Sequence, residues 1–302
     1  MNTQPHSYPS INPTDDYVGR FAPSPSGSLH FGSLVAALGS YLRARSQAGT
    51  WLVRMEDLDP PREVKGASDD ILRTLEAYGL TWDGPVLYQS QRHSAYQAQI
   101  DALIASHQAY YCQCSRKQIQ EMGGVYDGRC ATLTPLLTQG AVRIRNHAKV
   151  AQFTDVHKGQ INVDAHFAAE DFIIKRSDGL FAYQLAVVLD DAYQGITEVV
   201  RGSDLLEASC RQLSLYQLFG LAAPQWLHLP LACASPGFKL SKQNHAHPID
   251  KANPQASLQA ALAFLGQAPV DMNGKVTEML AQAVSQFRLE SVPQRSEILI
   301  AP

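Results

Sequence analysis

Residues 19–33 read Gly19-Arg20-Phe21-Ala22-Pro23-Ser24-Pro25-Ser26-Gly27-Ser28-Leu29-His30-Phe31-Gly32-Ser33. The stretch begins as a β-strand, turns through Pro, Ser and Gly residues, and continues into a helix with apolar residues at helical spacing. A strand, a polar loop and a helix in this order present the unpaired N–H groups of a helix N-terminus to a phosphate. His30 lies at the helix entry, where it can donate to a phosphate oxygen, and Gly27 and Gly32 allow a ligand to approach the backbone. We therefore interpret the stretch as a nucleotide-binding turn.

The simpler alternative is an ordinary strand-to-helix turn, because the stretch matches neither G-x-x-x-x-G-K-[ST] nor G-x-G-x-x-G. A second stretch far downstream, Phe238-Lys239-Leu240-Ser241-Lys242-Gln243, brings two lysines together. Taken alone, it would be interpreted as a solvated surface loop. The two stretches in one chain, on a background of alternating strands and helices, favour a nucleotide site.

That background predicts the fold class. Patterns for strands at 17–22 and 50–55 alternate with patterns for helices at 31–47 and 67–78, which is typical of a Rossmann-type, doubly wound parallel sheet in an α/β protein. Glu56 follows the second strand, at the edge of the sheet where ligands bind.

From about residue 110 the pattern changes to short pieces at 141–145, 152–156 and 161–163, which we interpret as an antiparallel insertion rather than part of the main sheet. Two helical stretches and a polar tail end the chain. We expect four parts, which are a flexible N-terminal arm at 1–16, a catalytic domain at 17–108 and 171–245, an inserted small α+β subdomain at 109–170, and a short helical C-terminal stem piece at 246–302.

Composition limits the class of protein. A net charge of −3 argues against a general polyanion binder, although a local basic groove could still bind RNA. The chain has no run of about 18 apolar residues and no secretory signal at its start, so we expect a cytoplasmic protein without a membrane partner. An odd number of cysteines, five, argues against a disulfide framework.

Three cysteines lie close in sequence, in Cys112-x-Cys114 and at Cys130. A structural zinc site uses four ligands, so three thiolates alone leave the site incomplete, and three buried free cysteines are the alternative. The pair Asp190-Asp191 could suggest a metal site, but we expect it to be a solvent-exposed pair at a helix end.

Residues 20–33 and 239–243 resemble the HIGH and KMSKS signatures of class I aminoacyl-tRNA synthetases. The wording R-F-A-P-S-P-S-G-x-L-H-F-G-S-L is that of their glutamate group, and within it the chain is most similar to the short glutamyl-Q tRNA(Asp) synthetase family, which lacks an anticodon-binding domain. The departures at Phe31-Gly32-Ser33, Leu240 and Gln243 match that short family.

The resemblance implies a set of site residues. Those for ATP are His30, Gly32, Lys239, Ser241 and Lys242, with His30 and Lys242 catalytic. Those for L-glutamate are Arg20, Phe21, Ala22, Pro23, Ser24, Glu56, Tyr183 and Arg201. One structural Zn²⁺, in the inserted subdomain that would face RNA, would be held by Cys112, Cys114, Tyr126 and Cys130.

Within the glutamate set, Glu56 would bind the ammonium group and the two arginines the carboxylates, without a decision on which arginine binds which carboxylate. The alternative for Glu56 is an exposed ion pair with Arg54 or Arg62, and the alternative for Tyr183 is core packing.

The implied reaction is activation of L-glutamate with ATP and Mg²⁺, without tRNA, followed by transfer of glutamate to the queuosine base in the anticodon stem-loop of tRNA(Asp). We expect a monomer. Two alternatives remain, a truncated glutamyl-tRNA synthetase that charges a 3′ end and a non-catalytic RNA-binding paralogue. The short segment after the lysine loop argues against the first, and retention of His30, Lys242, Arg20, Glu56 and Arg201 argues against the second.

Overall fold

The computed structural model describes residues 17–133, 136–240 and 247–300. The predicted N-terminal arm at 1–16, together with Ser241 and Lys242, lies outside the described residues. The strands are β1 (Val18–Phe21), β2 (Thr50–Met55), β3 (Leu87–Tyr88), β4 (Ala109–Cys112), β5 (Ala141–Ile144), β6 (Gln152–Asp155), β7 (Gly159–Asn162), β8 (Ile173–Lys175), β9 (Glu198–Gly202), β10 (Gln225–Leu229), β11 (Leu231–Ser235), β12 (Phe238–Lys239) and β13 (Glu297–Leu299). The helices are α1 (Phe31–Ser46), α2 (Ala67–Ala77), α3 (His93–Ala105), α4 (Arg116–Glu121), α5 (Ala165–Ala169), α6 (Tyr183–Tyr193), α7 (Ala208–Phe219), α8 (Pro254–Phe264) and α9 (Val276–Gln286).

A parallel sheet forms the centre of the protein, as the sequence predicts. β1 pairs with β2 and β2 with β3, while β9 pairs with β10 and β10 with β6, all in parallel. β1 and β9 lie side by side, and Thr197 N–H donates to the carbonyl of Val18 at 2.9 Å. The order is therefore β3-β2-β1-β9-β10-β6, and the chain leaves β1 and β9 in opposite directions. The crevice at the carboxyl ends of these two strands is the position where doubly wound sheets bind ligands.

Helices cover both faces of this sheet. Alternate residues of β2 belong to different cores, because Trp51 and Val53 pack in one core and Leu52 packs against the other. The first core includes residues of α1, α8 and α9, and the second includes residues of α3, α6 and α7. The helices of the predicted C-terminal piece therefore contribute to the same core as α1.

The inserted region contributes to two sheets. β4, β5 and β8 form a small antiparallel sheet. β4 and β5 come from the predicted insertion, whereas β8 comes from the part at 171–245 that we expected in the catalytic domain. β6 instead pairs in parallel with β10 through Asp155 and Trp226, and β7 pairs antiparallel with β6. The prediction that the 152–156 strand lies outside the main sheet is therefore wrong, because the side chains of Phe153 and Asp155 are buried against that sheet.

The end of the described chain also differs from the prediction of a polar tail. β13 pairs in parallel with β11, which precedes the lysine loop, and β12 pairs antiparallel with β11. Three residues of mixed polarity are too short to give a strand pattern, and an existing sheet edge is needed to order them. Within the described ranges, no helix combines the length and the apolar character needed to cross a bilayer.

Candidate active site

Two adjoining cavities open at the carboxyl ends of β1 and β9. The larger, about 420 Å³, is here called the arginine cavity, and it is lined by Arg20, Phe21, Ala22, Ser24, Ala36, Glu56, Arg62, Tyr183, Val200, Arg201, Leu205 and Lys239. The smaller, about 190 Å³, is here called the histidine cavity, and its lining includes His30, Gly32, Asp204, Lys239 and Leu240. Lys239 lines both cavities, so the sequence-predicted residues for two substrates meet at a shared boundary. Pro23 does not line the cavity, but its carbonyl accepts the Glu56 N–H at 3.0 Å.

Arg201 is held by neutral partners only. Its Nε donates to His228 at 3.1 Å, its Nη1 to Gln212 at 2.9 Å, and its Nη2 to the Ser209 hydroxyl at 2.8 Å. Its side chain is buried, and among the described residues no carboxylate lies within ion-pair distance of it. Removing a guanidinium from water without an anionic partner costs several kcal/mol of free energy. The site around Arg201 therefore favours a carboxylate ligand.

Tyr183 places a hydroxyl group beside the guanidinium of Arg201 and lines the arginine cavity. Its hydroxyl lies 3.4 Å from Nη1 of Arg201, the longest of the contacts that the guanidinium makes. Burial and the charge of Glu56 raise the pKa of Tyr183, so the phenol keeps its proton at neutral pH. Tyr183 packs against the second core and also lines the cavity, so core packing does not exclude a position at the site.

Arg20 differs from Arg201 because it already has an anionic partner. Its Nε and Nη2 donate to the two carboxylate oxygens of Asp191 at 3.1 and 3.2 Å. Burial is the largest influence on the pKa of both arginines and lowers it, but at Arg20 the charge and the hydrogen bonds of Asp191 together more than offset burial, and the pKa is raised. At Arg201 the effect of burial is the larger one, and the pKa is lowered. Arg201 therefore carries the less compensated charge of the two.

Glu56 is the anion of the cavity. Arg54, which is fully buried, donates to Glu56 at 3.3 Å and to Asp191 at 2.8 Å. Burial raises the pKa of Glu56, whereas Arg54 and Arg20 lower it. The predicted alternative, a pair with Arg54, is thus present, but it is buried and faces the cavity rather than bulk solvent.

The histidine cavity lies over the N-terminus of α1. His30 is the N-cap residue, and its Nδ1 accepts the Ser33 N–H at 3.3 Å, which leaves the proton of the neutral ring on Nε2. A Cβ at Gly32 would lie 3.2 Å from Cε1 of that ring, so glycine allows the ring its position. Lys239 forms an ion pair with Asp204, which we did not predict as a site residue.

The three cysteines of the inserted region form one cluster. The sulfur atoms of Cys112, Cys114 and Cys130 all lie within 4.8 Å of one another, and the Tyr126 hydroxyl accepts the Cys130 N–H at 2.8 Å. The cluster could hold a metal ion. Burial and the neighbouring sulfurs raise the pKa of Cys114 to about 12, so only a cation would keep all three as thiolates at neutral pH.

Sequence reasoning missed several residues that build the site. Asp190 and Asp191 are buried, not exposed, so that prediction is wrong: Asp191 binds Arg20 and Arg54, and Asp190 accepts from Tyr96 at 2.6 Å. The sequence does contain a signal for these buried charges, namely a charged residue within or directly after an apolar run. Arg54 interrupts β2 (Thr50–Met55), and the two aspartates follow the apolar run at 185–189 in α6.

The chain is similar to known proteins in sequence and in fold. The family model "tRNA synthetases class I (E and Q), catalytic domain" matches residues 17–134 and 136–277. A glutamyl-Q tRNA(Asp) synthetase from Shewanella oneidensis is 70% identical over 291 residues, covering 96% of this chain and 97% of that protein. The protein of that name from Escherichia coli is 57% identical over 280 residues, covering 92% and 91%.

A solved structure supports the fold. A glutamate tRNA ligase from Elizabethkingia meningosepticum, in complex with its amino acid, gives a TM-score of 0.75 at 24% identity, over 93% of this chain and 66% of that one. At that identity the likeness concerns the fold alone. The family model and the relatives concern the sequence itself. The chain therefore belongs to the glutamyl-Q tRNA(Asp) synthetase family of class I tRNA synthetases, and it is a ligase of that type.

Proposed function

We propose that the protein activates L-glutamate with ATP, without tRNA, and transfers it to the queuosine base in the anticodon of tRNA(Asp). The observation that carries the proposal is the charge pattern of the arginine cavity. A free glutamate has two carboxylates and one ammonium group, and this cavity presents two buried arginines and one carboxylate. The names of the relatives support the tRNA(Asp) target.

Each group of glutamate has a partner in this scheme. Glu56 binds the ammonium group through the oxygen that Arg54 does not use. One carboxylate is bound by Nη1 of Arg201 together with the Tyr183 hydroxyl, because their mutual contact is long and a bound oxygen can replace it. The other carboxylate is bound by Arg20, whose Nη1 is not used by Asp191.

ATP binds beside glutamate, with its phosphates over the N-terminus of α1. The α-carboxylate of glutamate attacks the α-phosphorus, the bond to pyrophosphate breaks, and negative charge builds on the phosphate oxygens. His30 stabilises that charge through Nε2–H, and Lys239, Ser241 and Lys242 of the lysine loop bind the phosphates. Mg²⁺ accompanies ATP and screens its charge.

Transfer uses an adjoining cavity. A space of about 420 Å³ shares Ser24, Glu56 and Tyr183 with the arginine cavity and is also lined by Phe181 and Arg176. A ring hydroxyl of queuosine enters from that side and attacks the acyl carbon, AMP leaves with the electrons of the acyl–oxygen bond, and the hydroxyl proton passes to solvent water. Phe181 offers an aromatic face to a splayed base.

Zinc is the metal we propose for the cysteine cluster. Cys112, Cys114, Cys130 and Tyr126 would hold it, and three sulfurs within 4.8 Å fit a tetrahedral site with the phenol oxygen as the fourth ligand. When bound it stabilises the inserted subdomain and takes no part in the reaction. The division of the chain into four parts, a monomeric state and a cytoplasmic location stay predictions.

The test is ATP–pyrophosphate exchange without tRNA. L-glutamate should support exchange, and L-glutamine should not, because it lacks the second carboxylate that the cavity binds. D-glutamate serves as a control for the position of the ammonium group. No exchange with glutamate would favour the non-catalytic RNA-binding paralogue, and exchange that requires tRNA would favour a truncated glutamyl-tRNA synthetase.

A further inference from the structure

Behind Arg201, on the side away from the arginine cavity, lie two buried residues that the proposed reaction does not use. Nε2 of His228 accepts from Nε of Arg201 at 3.1 Å, and Nδ1 of His228 lies 2.7 Å from the Asp155 carboxylate. Both side chains are fully buried. Hydrogen bonds thus connect Asp155 to His228 and His228 to Arg201. This hydrogen-bonded series leads from β6, a strand of the inserted region, to the arginine cavity.

Asp155 is the first residue of this hydrogen-bonded series, and backbone N–H groups hold its carboxylate in place. One of its oxygens accepts the N–H groups of His157 and Lys158 at 2.9 and 2.8 Å, and the other also accepts the N–H of His228 at 3.0 Å. Burial would raise the pKa of Asp155, but the hydrogen bonds from His228 and the backbone outweigh it, and the pKa is lowered. The carboxylate is therefore ionised and stationary, and it keeps the proton of His228 on Nδ1.

The imidazole between the two charges stays neutral. Burial, assisted by the charge of Arg201, lowers the pKa of His228 to about 4 despite Asp155. A direct Asp155–Arg201 pair would cancel the charge needed by a substrate carboxylate, as Asp191 partly does at Arg20. A neutral ring transmits the orientation without cancelling the charge. Trp226 holds the guanidinium from its flat face, with Cζ 4.6 Å from the ring centroid.

We propose that His228 and Asp155 are positioning residues, which orient Arg201 for a glutamate carboxylate while leaving its charge uncompensated. This proposal rests on the proposed function, because it assigns a substrate carboxylate to Arg201. It also makes β6 of the inserted region part of the amino-acid site.

The first test reads the tautomer and needs no substrate. Two-dimensional ¹H–¹⁵N correlation of the histidine side chains at pH 7 should show His228 with its proton on Nδ1, and the signal is assigned by its absence in His228→Gln. A proton on Nε2, or a doubly protonated ring, would overturn the proposal whatever the substrate is.

The second test separates positioning from packing by kinetics of exchange. His228→Leu removes the acceptor for Arg201, so the KM for glutamate should rise about 10- to 100-fold, while kcat and the KM for ATP change less than about threefold. His228→Gln supplies an amide oxygen near the position of Nε2 and should restore most of the affinity.

The control is Gln267→Leu, which also removes a buried polar side chain, one that bonds the Arg288 backbone in the C-terminal region. It should lower the thermal midpoint without changing the KM for glutamate. An equal rise in KM in both leucine variants, or no rise in His228→Leu, would overturn the positioning role while leaving the proposed function intact. Absence of exchange in the unmodified protein would instead contradict the proposed function.

Discussion

Arg54 joins two carboxylates that are distant in sequence, Glu56 and Asp191, within one buried group of charges. If Glu56 binds the ammonium group, it must be ionised, and burial already raises its pKa. Arg54 opposes that rise. If the proposed binding holds, the arginine therefore lowers the pH above which Glu56 is ionised and can bind the ammonium group.

We predict that Arg54→Gln shifts the pH dependence of glutamate binding upward. As the pH falls, Glu56 is protonated and the KM for glutamate rises. Without Arg54 the pKa of Glu56 is higher, so the rise in KM begins at a higher pH. At pH 7 the KM should be raised about tenfold or more. The measurement is the pH profile of exchange. Arg45→Gln, which breaks a partly exposed pair with Asp83, is the matched control, and equal profiles for both variants would argue against this role of Arg54.

Gly32 gives a second prediction at this scale. In Gly32→Ala the added Cβ would lie 3.2 Å from Cε1 of His30, closer than ordinary contacts, so the ring must shift by a few tenths of an ångström from its position at the N-terminus of α1. We expect kcat/KM for ATP in exchange to fall about tenfold, as for a lost charge-assisted hydrogen bond. The dissociation constant of glutamate, measured by calorimetry, should stay unchanged. A loss confined to glutamate binding would contradict the assignment of His30 to ATP.

The residues of the cavity were predictable, but their supports were not. Arg20, Glu56, Tyr183 and Arg201 meet in one cavity, as the resemblance implies. Asp191 was expected in solvent because an Asp-Asp pair at a helix end is usually exposed. Its burial depends on two arginines from different strands that no local pattern connects.

At the scale of elements, the cysteine cluster lies in a region with little core of its own. The third core contains only Tyr110, Cys112, Tyr126 and Cys130 as buried members among the described residues. So few apolar side chains cannot offset the entropy of ordering the 112–133 segment, and a metal ion would supply the difference.

We predict that Cys130→Ser removes the metal and loosens this segment. Metal content per chain should fall by elemental analysis, and amide exchange at 112–133 should become faster. ATP–pyrophosphate exchange should persist, because the segment lines neither the arginine cavity nor the histidine cavity. Transfer of glutamate to tRNA should fall about tenfold or more. Cys210→Ala, at a buried cysteine outside the cluster, is the control. Loss of exchange together with the metal would contradict a purely structural role.

β6 illustrates which elements the sequence leaves undecided. Its alternating pattern was interpreted correctly as a strand, but strand pattern carries no information on which sheet receives it. The choice depends on pairing of Asp155 with Trp226, far along the chain. His228 and Arg201 came together for the same reason, since β9 and β10 align them side by side.

At the scale of the whole molecule, the doubly wound sheet was predicted correctly from the alternation of strands and helices. The packing of the C-terminal helices was not, because an amphipathic helix does not specify its partner. Leu258 and Leu262 of α8 lie in the same core as Leu38 of α1, the helix that follows the turn at 22–30. The packing of α1 therefore depends on the C-terminal helices.

We predict that Leu262→Ala lowers the free energy of unfolding by about 2–5 kcal/mol, as for a buried leucine. Denaturant unfolding followed by tryptophan fluorescence and by circular dichroism should give coincident transitions, because Trp51 shares this core. Leu299→Ala, at an exposed leucine, should change stability by less than about 0.5 kcal/mol. A separate early transition of the helices would show that 246–302 is an independent piece.

The most direct test of the proposed function is to locate the glutamate after transfer. The protein is incubated with labelled glutamate, ATP and total tRNA from cells that make queuosine, and the tRNA is then digested with nuclease. We predict label on an anticodon-loop nucleoside of tRNA(Asp), and no label when the tRNA lacks queuosine. Label on a 3′-terminal adenosine would contradict the account and identify the protein as a small glutamyl-tRNA synthetase.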